Sequence, residues 1–356
     1  MEYTALIMAG GKGERFWPRS RKQFPKQFLS LIDSEETLIQ LTVKRINHIV
    51  KKENIYIVTD KNYESLITEQ LKDIPKDNIL YEPIAKNTAP CICLGAMHIK
   101  KKKKDAVMFV LPADHLIKNE KEFEKVLKTV AKVVETEESM ITIGIQPNYP
   151  ETGYGYIKYN TNNVKELLYS VEKFVEKPDK EKAKEYLNEG NYFWNSGIFV
   201  WKVSSILFEI ERCIPDLYKG LSKVENVIGK EYYQEILQKE YENIPSISID
   251  FGVMEKCSNL LVYCGIFGWD DVGSWLSLER INKKDMQGNI VHGNVVSHSI
   301  YNCIIEGKDR LLAVAGLENV IVVDTEDVTM ICSRDKLGEI KSLVQQLHCD
   351  EFKKYV

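Results

Sequence analysis

Short, nearly continuous apolar runs alternate with amphipathic segments over the first two thirds of the chain. The apolar runs occupy residues 4–9, 54–59, 78–82 and 105–113, and helical spacing is found in residues 35–46, 62–72, 87–101 and 122–135. Strands that are covered on both faces lose the alternation of apolar and polar positions, so these runs are typical of buried parallel strands. The alternation of strands and helices along the chain predicts an α/β fold with a doubly wound, Rossmann-like sheet.

The pattern changes after Asn282. Short β-rich runs broken by Gly, Asn and Asp replace the alternation, and an amphipathic segment at residues 337–348 follows them. We therefore predict two domains: a large one over residues 1–280 and a small β-rich one over residues 281–356 that ends in a helix. The small domain is either a separate β domain or a β-helix.

The composition of the chain excludes several classes of function. With 356 residues and a formal net charge of −4, it lacks the global basic field of nucleic-acid-binding proteins. No apolar stretch approaches the roughly 20 residues of a membrane helix, and the first residues lead straight into a strand-like run without a secretory leader. The eight cysteines form no Cys-x-x-Cys pair. We therefore expect free thiols, a cytoplasmic location, and no nucleic-acid or membrane partner.

Glycines and cations are concentrated in the stretch LIMAGGKGERFWPRSRKQFPKQFL, residues 6–29, at the end of the first predicted strand. The stretch fits neither the dinucleotide fingerprint, because Phe16 replaces the third glycine, nor the P-loop, which ends in Gly-Lys-Ser/Thr. Gly10 and Gly11 can nevertheless bring backbone N–H groups close to phosphate oxygens. Three cations of this loop would neutralise a polyphosphate: Lys12, Arg15 and Lys26. The alternative is a flexible loop with solvated cations.

Polar residues also follow several other apolar runs. Each could belong to an ordinary turn, but together they supply phosphate ligands, two separate carboxylate sites and polar groups beside aromatic residues. In an open α/β sheet, ligands bind at the carboxyl ends of the strands, where these residues are expected. The positions are residues 82–90, Asp114, Glu176, Lys177, Asn195, Asp270 and Asp271.

With these residues the chain resembles the sugar-1-phosphate nucleotidyltransferase family over its whole length. GGKGERFWPRSRKQFPKQF resembles the nucleotidyl signature, EPIAKNTAPC the motif of the guanylyl branch, and FVEKP, NSGIF and WDDVGSW the sugar and metal elements. The resemblance implies the nucleotide-diphospho-sugar transferase fold. It also implies transfer of GMP from GTP to mannose 1-phosphate, with Mg²⁺ as cofactor. Some members append an isomerase domain, which 356 residues cannot hold, so a single activity is expected.

The resemblance assigns the phosphate ligands and the metal ligands. Gly10 and Gly11 would cradle the triphosphate through their backbone, Arg15 would neutralise the departing pyrophosphate, and Lys26 would contact the α-phosphate. Two carboxylates would hold Mg²⁺, a hard cation that prefers oxygen. They are Asp114 and Asp271; the family spacing Trp-x-Asp-x-Gly selects Asp271 over its neighbour Asp270.

Guanine would be bound by Glu82, Asn87 and Thr88, whereas Lys86 is left out because the branch usually carries arginine there. For mannose 1-phosphate, Lys177 would contact the phosphate. The sugar hydroxyls would be bound by the backbone at Gly153 and by the side chains of Glu176, Asn195 and Asp250. Helix N-caps remain the alternative interpretation for Asp114 and Asp250. His115 is expected to be structural, because an anionic nucleophile needs no base.

Two other functions remain open at this point. The first is the same fold with another hexose 1-phosphate or nucleotide, such as thymidylyl or uridylyl transfer to glucose 1-phosphate. The second is a non-catalytic regulatory relative, against which the joint presence of Arg15, Lys26, Asp114 and Asp271 speaks. By resemblance alone, the β-rich domain suggests a homodimer.

Overall fold

The computed structural model describes residues 1–11, 13–32, 35–103, 105–165, 167–349 and 351–356. The helices are α1 (Leu38–Ile46), α2 (Glu64–Gln70), α3 (Thr88–Lys102), α4 (Glu120–Thr136), α5 (Lys180–Glu189), α6 (Val203–Cys213), α7 (Pro215–Glu225), α8 (Tyr233–Asn243), α9 (Ile249–Gly252), α10 (Ser277–Ile281) and α11 (Glu339–Gln346). None of the helices described here is long and apolar enough to cross a membrane.

The strands of the first 200 residues are β1 (Glu2–Ala9), β2 (Ile55–Asp60), β3 (Ile79–Glu82), β4 (Ala106–Pro112), β5 (Leu116–Ile117), β6 (Met140–Ile145), β7 (Tyr156–Lys165), β8 (Leu168–Val175) and β9 (Tyr192–Lys202). The later strands are β10 (Leu260–Cys264), β11 (Trp269–Asp270), β12 (Ile290–His292), β13 (Val295–His298), β14 (Ile304–Glu306), β15 (Leu312–Ala315), β16 (Val320–Asp324) and β17 (Thr329–Ser333).

The chain divides into two compact units, which are described separately. Unit 1 consists of Met1–Gly10, Gln40–Ala113 and Ile117–Trp269. Unit 2 consists of Gly11–Ile39, Asp114–Leu116 and Asp270–Val356. The glycine-cation loop therefore belongs to the same unit as the β-rich segment. The division at residues 280 and 281 stays a prediction.

Unit 1 is built on one sheet with the strand order β3-β2-β1-β4-β9-β6-β10-β8-β7. β1 runs parallel to β2 and β4, whereas β9 runs antiparallel to β4 and β6, so the sheet is mixed. The central strands are buried on both faces, as their continuous apolar sequences predict. This confirms the doubly wound, Rossmann-like mixed sheet, and it places the ends of β1, β3 and β4 at one edge.

Helix α3 packs tightly on the sheet. A Cβ atom at Gly95 would lie 2.4 Å from Leu6 Cδ1, so only glycine permits this approach of helix and strand. Residues 89–99 of the helix are all buried, which explains the apolar sequence that surrounds Cys91 and Cys93. The helix therefore holds the segment at its amino-terminal end, residues 82–88, in a fixed position.

Unit 2 contains a parallel ladder of short strands. β12, β14 and β16 pair in parallel, with Ile290 opposite Ile304 and Ile304 opposite Ile321, and β17 closes the sheet in the antiparallel sense. β13 and β15 form a second parallel pair. Parallel strands joined by such short connections wind as a coil of the β-helix type. This confirms the small β-rich domain of the β-helix type, and helix α11 follows its strands in sequence.

A hydrophobic core of unit 2 joins the glycine-cation loop to the β-rich segment. Phe16 and Trp17 of the glycine-cation loop pack with Trp275, Ile304 and other residues of the β-rich segment. The loop is therefore ordered by contacts made by large aromatic side chains, and the prediction of a flexible, solvated loop does not hold for these two residues.

Candidate functional site

The cation Lys26 is buried among acidic groups in unit 2. It begins the 3-10 turn Lys26–Phe28 and is only 5% exposed. Its Nζ donates to Asp114 Oδ2 at 2.8 Å and to the backbone oxygen of Asp271 at 2.6 Å. The ammonium also lies 5.9 Å from the centre of the Phe16 ring. Three sequence-predicted residues are thus brought together: Lys26, Asp114 and Asp271.

Asp114 lies in a loop, and it does not cap a helix. Asn119 caps α4, so the N-cap alternative for Asp114 is wrong. Burial by itself would raise the pKa of the Asp114 carboxyl, but the Lys26 ammonium and then His115 outweigh it and hold this pKa below its ordinary value. His115 Nε2 lies 4.0 Å from Asp114 Oδ1. The carboxylate is therefore kept ionised.

The two neighbouring aspartates have different surroundings. Asp270 accepts hydrogen bonds from both Nε and a terminal nitrogen of Arg280 and from the N–H of Val272 at 2.8 Å. Its side chain is only 8% exposed. Asp271 Oδ1 accepts from the N–H of Gly273 at 3.0 Å and lies 3.9 Å from Arg280. Asp270 thus holds the turn in place, and Asp271 remains the candidate ligand that the family spacing selects.

Asp114 and Asp271 fit a hard divalent cation. The Lys26 ammonium contacts the carboxylate of Asp114 and the backbone carbonyl of Asp271, which places the two residues next to one another. Magnesium is commonly held by one or two carboxylates, with waters and substrate phosphates as the other ligands. Among the described residues there is no cluster of three or more His, Cys, Asp or Glu that could hold a metal. The chemistry of the two donors therefore favours a cation that shares its ligands with a phosphate substrate.

The rest of the loop presents open backbone and exposed charge. Apart from its chain neighbours, no atom of the described residues lies within 4 Å of the position that a Cβ of Gly11 would take, and the Gly11 carbonyl oxygen accepts from Gln27 Nε2 at 3.0 Å. Arg15 is exposed. Lys12 lies outside the described residues. Open glycine backbone beside an exposed guanidinium is an arrangement that suits phosphate oxygens.

Glu82 is a buried acid at the end of β3 in unit 1. It is 5% exposed, and its Oε1 accepts from the Tyr241 hydroxyl at 3.2 Å. Burial raises the pKa of Glu82 to about 8; the Tyr241 hydrogen bond opposes this and Asp60 adds to it. A Cβ at Gly10 would lie 3.6 Å from Glu82 Oε2, so this glycine faces the acid. The N-cap of the following helix α3 is Asn87, not Glu82.

Asn87 and Thr88 shape the start of α3. Asn87 adopts a left-handed backbone with φ of 73°, and its Oδ1 accepts from the N–H of Thr88 at 2.8 Å. Thr88 Oγ1 accepts from the N–H of Ile249 at 2.8 Å. Lys86 Nζ donates to the backbone oxygen of Ile244 at 3.1 Å. The motif is therefore tied to residues 244–249 of the same unit.

Asn195 and Asp250 form a fixed pair in unit 1. Asn195 Nδ2 donates to Asp250 Oδ1 at 2.9 Å, while its Oδ1 accepts from the N–H of Gly197 at 3.1 Å and from the Thr142 hydroxyl at 3.2 Å. Since the Gly197 N–H requires an acceptor, the amide orientation of Asn195 is determined. Ser248, whose hydroxyl accepts from the N–H of Phe251, caps α9, so the N-cap alternative for Asp250 is wrong.

Glu176 lies next to this pair and has an unpaired oxygen. Its side chain is 8% exposed, and Oε1 is 2.6 Å from Lys177 Nζ. Its Oε2 is buried with no hydrogen-bond partner in the part of the chain that the structure describes. Burial, then the charge of Glu176, raises the pKa of Asp250 to about 7. A buried acceptor without a donor is costly unless a ligand supplies one, which points to a hydroxyl-bearing ligand.

The structure brings a different glycine to this group than the one predicted. The Gly153 N–H donates to Glu151 Oε1 at 2.8 Å, so this N–H stabilises the local turn. Gly155 is the neighbour of Glu176: a Cβ there would lie 2.5 Å from Glu176 Oε2 and 3.3 Å from Asn195 Cβ. The sequence TGYGY contains both glycines, and only the close approach of the strands distinguishes them.

Comparison with known proteins matches the chain to two family models and to several relatives. The nucleotidyl transferase family model matches residues 4–288, and the model of the MannoseP isomerase/GMP-like beta-helix domain matches residues 293–347. The alginate biosynthesis protein AlgA of Pseudomonas syringae pv. tomato is 40% identical over 347 residues, which are 96% of this chain and 71% of that protein. A mannose-1-phosphate guanylyltransferase of Salmonella montevideo is 37% identical over 352 residues, 97% of this chain and 74% of that one.

A solved structure matches nearly the whole chain. It is a protein of Thermus thermophilus described as a mannose-1-phosphate geranyltransferase, with a TM-score of 0.89 and 32% identity. The match covers 98% of this chain and 100% of the Thermus chain. The two family models account for almost all of the sequence, and relatives at these identities cover it nearly end to end. The chain therefore belongs to the nucleotidyl transferase family.

Proposed function

We propose that the protein transfers GMP from GTP to mannose 1-phosphate, giving GDP-mannose and pyrophosphate, with Mg²⁺ as cofactor. The observation that carries the proposal is the contact of buried Lys26 with both Asp114 and Asp271. Lys26 belongs to the nucleotidyl signature, and Asp114 and Asp271 are the two acids that the family resemblance assigns to the metal. The names of the relatives, among them mannose-1-phosphate guanylyltransferase, support the choice of substrates.

The chemistry is an in-line displacement at the α-phosphorus of GTP. A phosphate oxygen of mannose 1-phosphate forms a bond to the α-phosphorus, and the bond from that phosphorus to the oxygen that bridges to the β-phosphate breaks. Pyrophosphate leaves with the electron pair. Because the nucleophile is already an anion, the protein needs no strong base, and His115 has no role in proton transfer. The task of the side chains is to position the reactants and to neutralise charge.

Lys26 would contact the α-phosphate and stabilise the charge that develops in the transition state. Arg15 would bind two oxygens of the leaving pyrophosphate through its planar fork. Asp114 and Asp271 would hold Mg²⁺, which when bound polarises phosphoryl oxygens and neutralises their charge. The backbones of Gly10 and Gly11 would donate to the triphosphate.

Glu82, Asn87 and Thr88 would form the guanine side of the proposal. Guanine presents N1–H and an exocyclic amine as adjacent donors, and one carboxylate accepts from both. Burial raises the pKa of the Glu82 carboxyl group. Two donors from the guanine base would oppose this shift and favour the ionised form of Glu82. Asn87 and Thr88 would act by fixing the backbone that leads away from Glu82, since their side-chain oxygens bind Thr88 N–H and Ile249 N–H.

Glu176, Asn195 and Asp250 would bind the sugar hydroxyls, and Lys177 its phosphate. The unpaired Glu176 Oε2 supports this, because a hydroxyl would supply the missing donor. The Gly153 backbone is a weaker part of the proposal, since its N–H is bonded to Glu151. A homodimer and a cytoplasmic location remain predictions.

A pyrophosphate-release assay tests the function. GTP and mannose 1-phosphate together with Mg²⁺ should release pyrophosphate, and neither substrate alone should do so. Glucose 1-phosphate with dTTP or UTP tests the nearest alternative activity. If normally folded protein released pyrophosphate with none of these pairs of NTP and sugar phosphate, the regulatory alternative would remain.

A further inference from the structure

One backbone carbonyl of the β-rich segment binds two side chains of the glycine-cation loop. The oxygen of Tyr355 accepts from the Trp17 indole N–H at 2.7 Å and from the Arg21 guanidinium. Trp17 is 5% exposed, and the side chain of Arg21 is 17% exposed. A carbonyl oxygen has two lone pairs and can accept two hydrogen bonds. In Tyr355, side chains of the loop donate both of them.

Two ion pairs add to this anchor. Arg21 also contacts Asp327 Oδ1 at 2.8 Å. Arg19 lies 3.5 Å from Glu306 Oε2 on β14, and the same arginine donates to the Ser30 carbonyl at 2.9 Å. Arg19 therefore links the β-rich segment to the far end of the loop.

The anchor continues to the catalytic cation through aromatic contacts. The Trp275 indole N–H donates to the Trp17 carbonyl at 3.2 Å, and the Trp275 ring lies 5.1 Å from the Phe16 ring. Phe16 in turn lies beneath the Lys26 ammonium. A Cβ at Gly13 would lie 2.5 Å from Lys26 Cβ, so the two arms of the loop are in close contact. A shift of Trp17 would therefore be transmitted to Lys26.

We propose that Trp17 and Arg21 are positioning residues, through which the segment around Tyr355 holds the loop so that Lys26 meets the α-phosphate. This rests on the proposed function of Lys26. A glycine-rich loop loses much backbone entropy when it is ordered, and electrostatic catalysis requires donors that are already in place. The anchor supplies that order from a part of the sequence outside the nucleotidyl transferase model, which ends at residue 288.

Trp17→Phe is the sharpest test, because it keeps an aromatic ring and removes the N–H donated to Tyr355. Trp201→Phe is the matched control: Trp201 is also buried, and its Nε1 has no hydrogen-bond partner in the described structure. We expect Trp17→Phe to lower kcat about 2- to 10-fold, the factor for one ordinary hydrogen bond, with unchanged KM for both substrates. Trp201→Phe should keep the kcat of the wild type.

Arg21→Gln and Arg21→Lys provide the second comparison. Arg21→Gln loses the charge, whereas Arg21→Lys keeps a cationic donor and should restore at least half of the kcat. Hydrogen exchange of residues 13–29 is measured in the same proteins, and it should accelerate in Trp17→Phe and Arg21→Gln only. This readout needs no activity, so it still tests the anchor if the wild type releases no pyrophosphate and the proposed function fails. A lower melting temperature with unchanged exchange in residues 13–29 and unchanged kcat would overturn the proposal.

Discussion

Lys26 donates to Asp114 over 2.8 Å while it is almost completely buried. A buried cation must be paired, and here its partners are the carboxylate of Asp114 and the carbonyl of Asp271. The candidate phosphate-binding cation and the candidate metal ligands therefore hold one another in place. A change at any one of them is expected to disturb the other two.

The first prediction concerns the candidate metal ligands. Asp114→Asn and Asp271→Asn should each abolish most turnover with the fold retained, because each removes a carboxylate charge beside a divalent ion. Asp270→Asn should be milder in kcat, but it should lower the free energy of unfolding by about 1–3 kcal/mol, since Arg280 loses a charged partner. Steady-state kinetics and urea unfolding of the three variants separate the effects. If Asp270→Asn lowered kcat more than Asp271→Asn, the assignment of the metal ligand would be reversed.

The second prediction separates the roles proposed for the two lysines, Lys26 and Lys177. Lys26→Ala should lower kcat by roughly 10²- to 10³-fold, because its contact strengthens as charge develops in the transition state. Lys177→Ala should mainly raise the KM for mannose 1-phosphate. Its side chain is 61% exposed, so little stability should be lost. Full kinetics against both substrates measure the difference, and equal effects of the two variants on sugar-phosphate affinity would contradict separate roles.

The third prediction tests base recognition by Glu82. The wild type should prefer GTP to ITP, which lacks the exocyclic amine, and both to ATP, whose N1 is an acceptor. One hydrogen bond to a charged group corresponds to about 10- to 150-fold for GTP over ITP. Glutamine has a single acceptor, so Glu82→Gln should reduce this ratio of kcat/KM markedly. A ratio that stays at the wild-type value while overall activity falls would show that Glu82 does not recognise guanine.

The fourth prediction uses the pH dependence of stability. The pKa of Glu82 rises from 4.5 to about 8 on folding, so the folded protein binds this proton more tightly than the unfolded chain. Its contribution to stability is therefore complete below about pH 4.5, falls as the pH rises and levels off above about pH 8. Over this range the free energy of unfolding of Glu82→Gln should increase relative to that of the wild type, by up to about 1.4 kcal/mol per pH unit. Denaturant unfolding at about pH 5, 7 and 8.5 measures the difference, and a constant difference would refute it.

The fold could be predicted because its signal is local. The continuous apolar runs at β1 and β4 indicate strands buried on both faces, and in the structure the central residues of both strands are buried. Boundaries were less accurate: α1 begins at Leu38, three residues after the helical spacing starts at residue 35. That spacing is a property of side chains, whereas a helix end is decided by backbone hydrogen bonds.

Parts of the candidate site depend on contacts that no local pattern reveals. Tyr241 donates to Glu82 across 159 positions of sequence, and Thr88 accepts from Ile249 across 161. The motif around Asp270 and Asp271 favours Asp271 as the ligand, but the physical reason, the Arg280 pair on Asp270, appears only in the structure. Family motifs therefore located the candidate residues, while tertiary contacts determine which atoms of each side chain are already bonded to other residues.

The missing side chain at Gly155 has a consequence for engineering the sugar site. Replacing one hydrogen by a methyl group there would place carbon 2.5 Å from Glu176 Oε2, well inside van der Waals contact. The added carbon and this oxygen cannot both keep their positions, so the Glu176 side chain would have to move. A library that seeks new hexose preferences at the candidate sugar site should therefore hold position 155 constant and vary the neighbouring residues, since a side chain at 155 would displace a carboxylate that the proposed function needs in place.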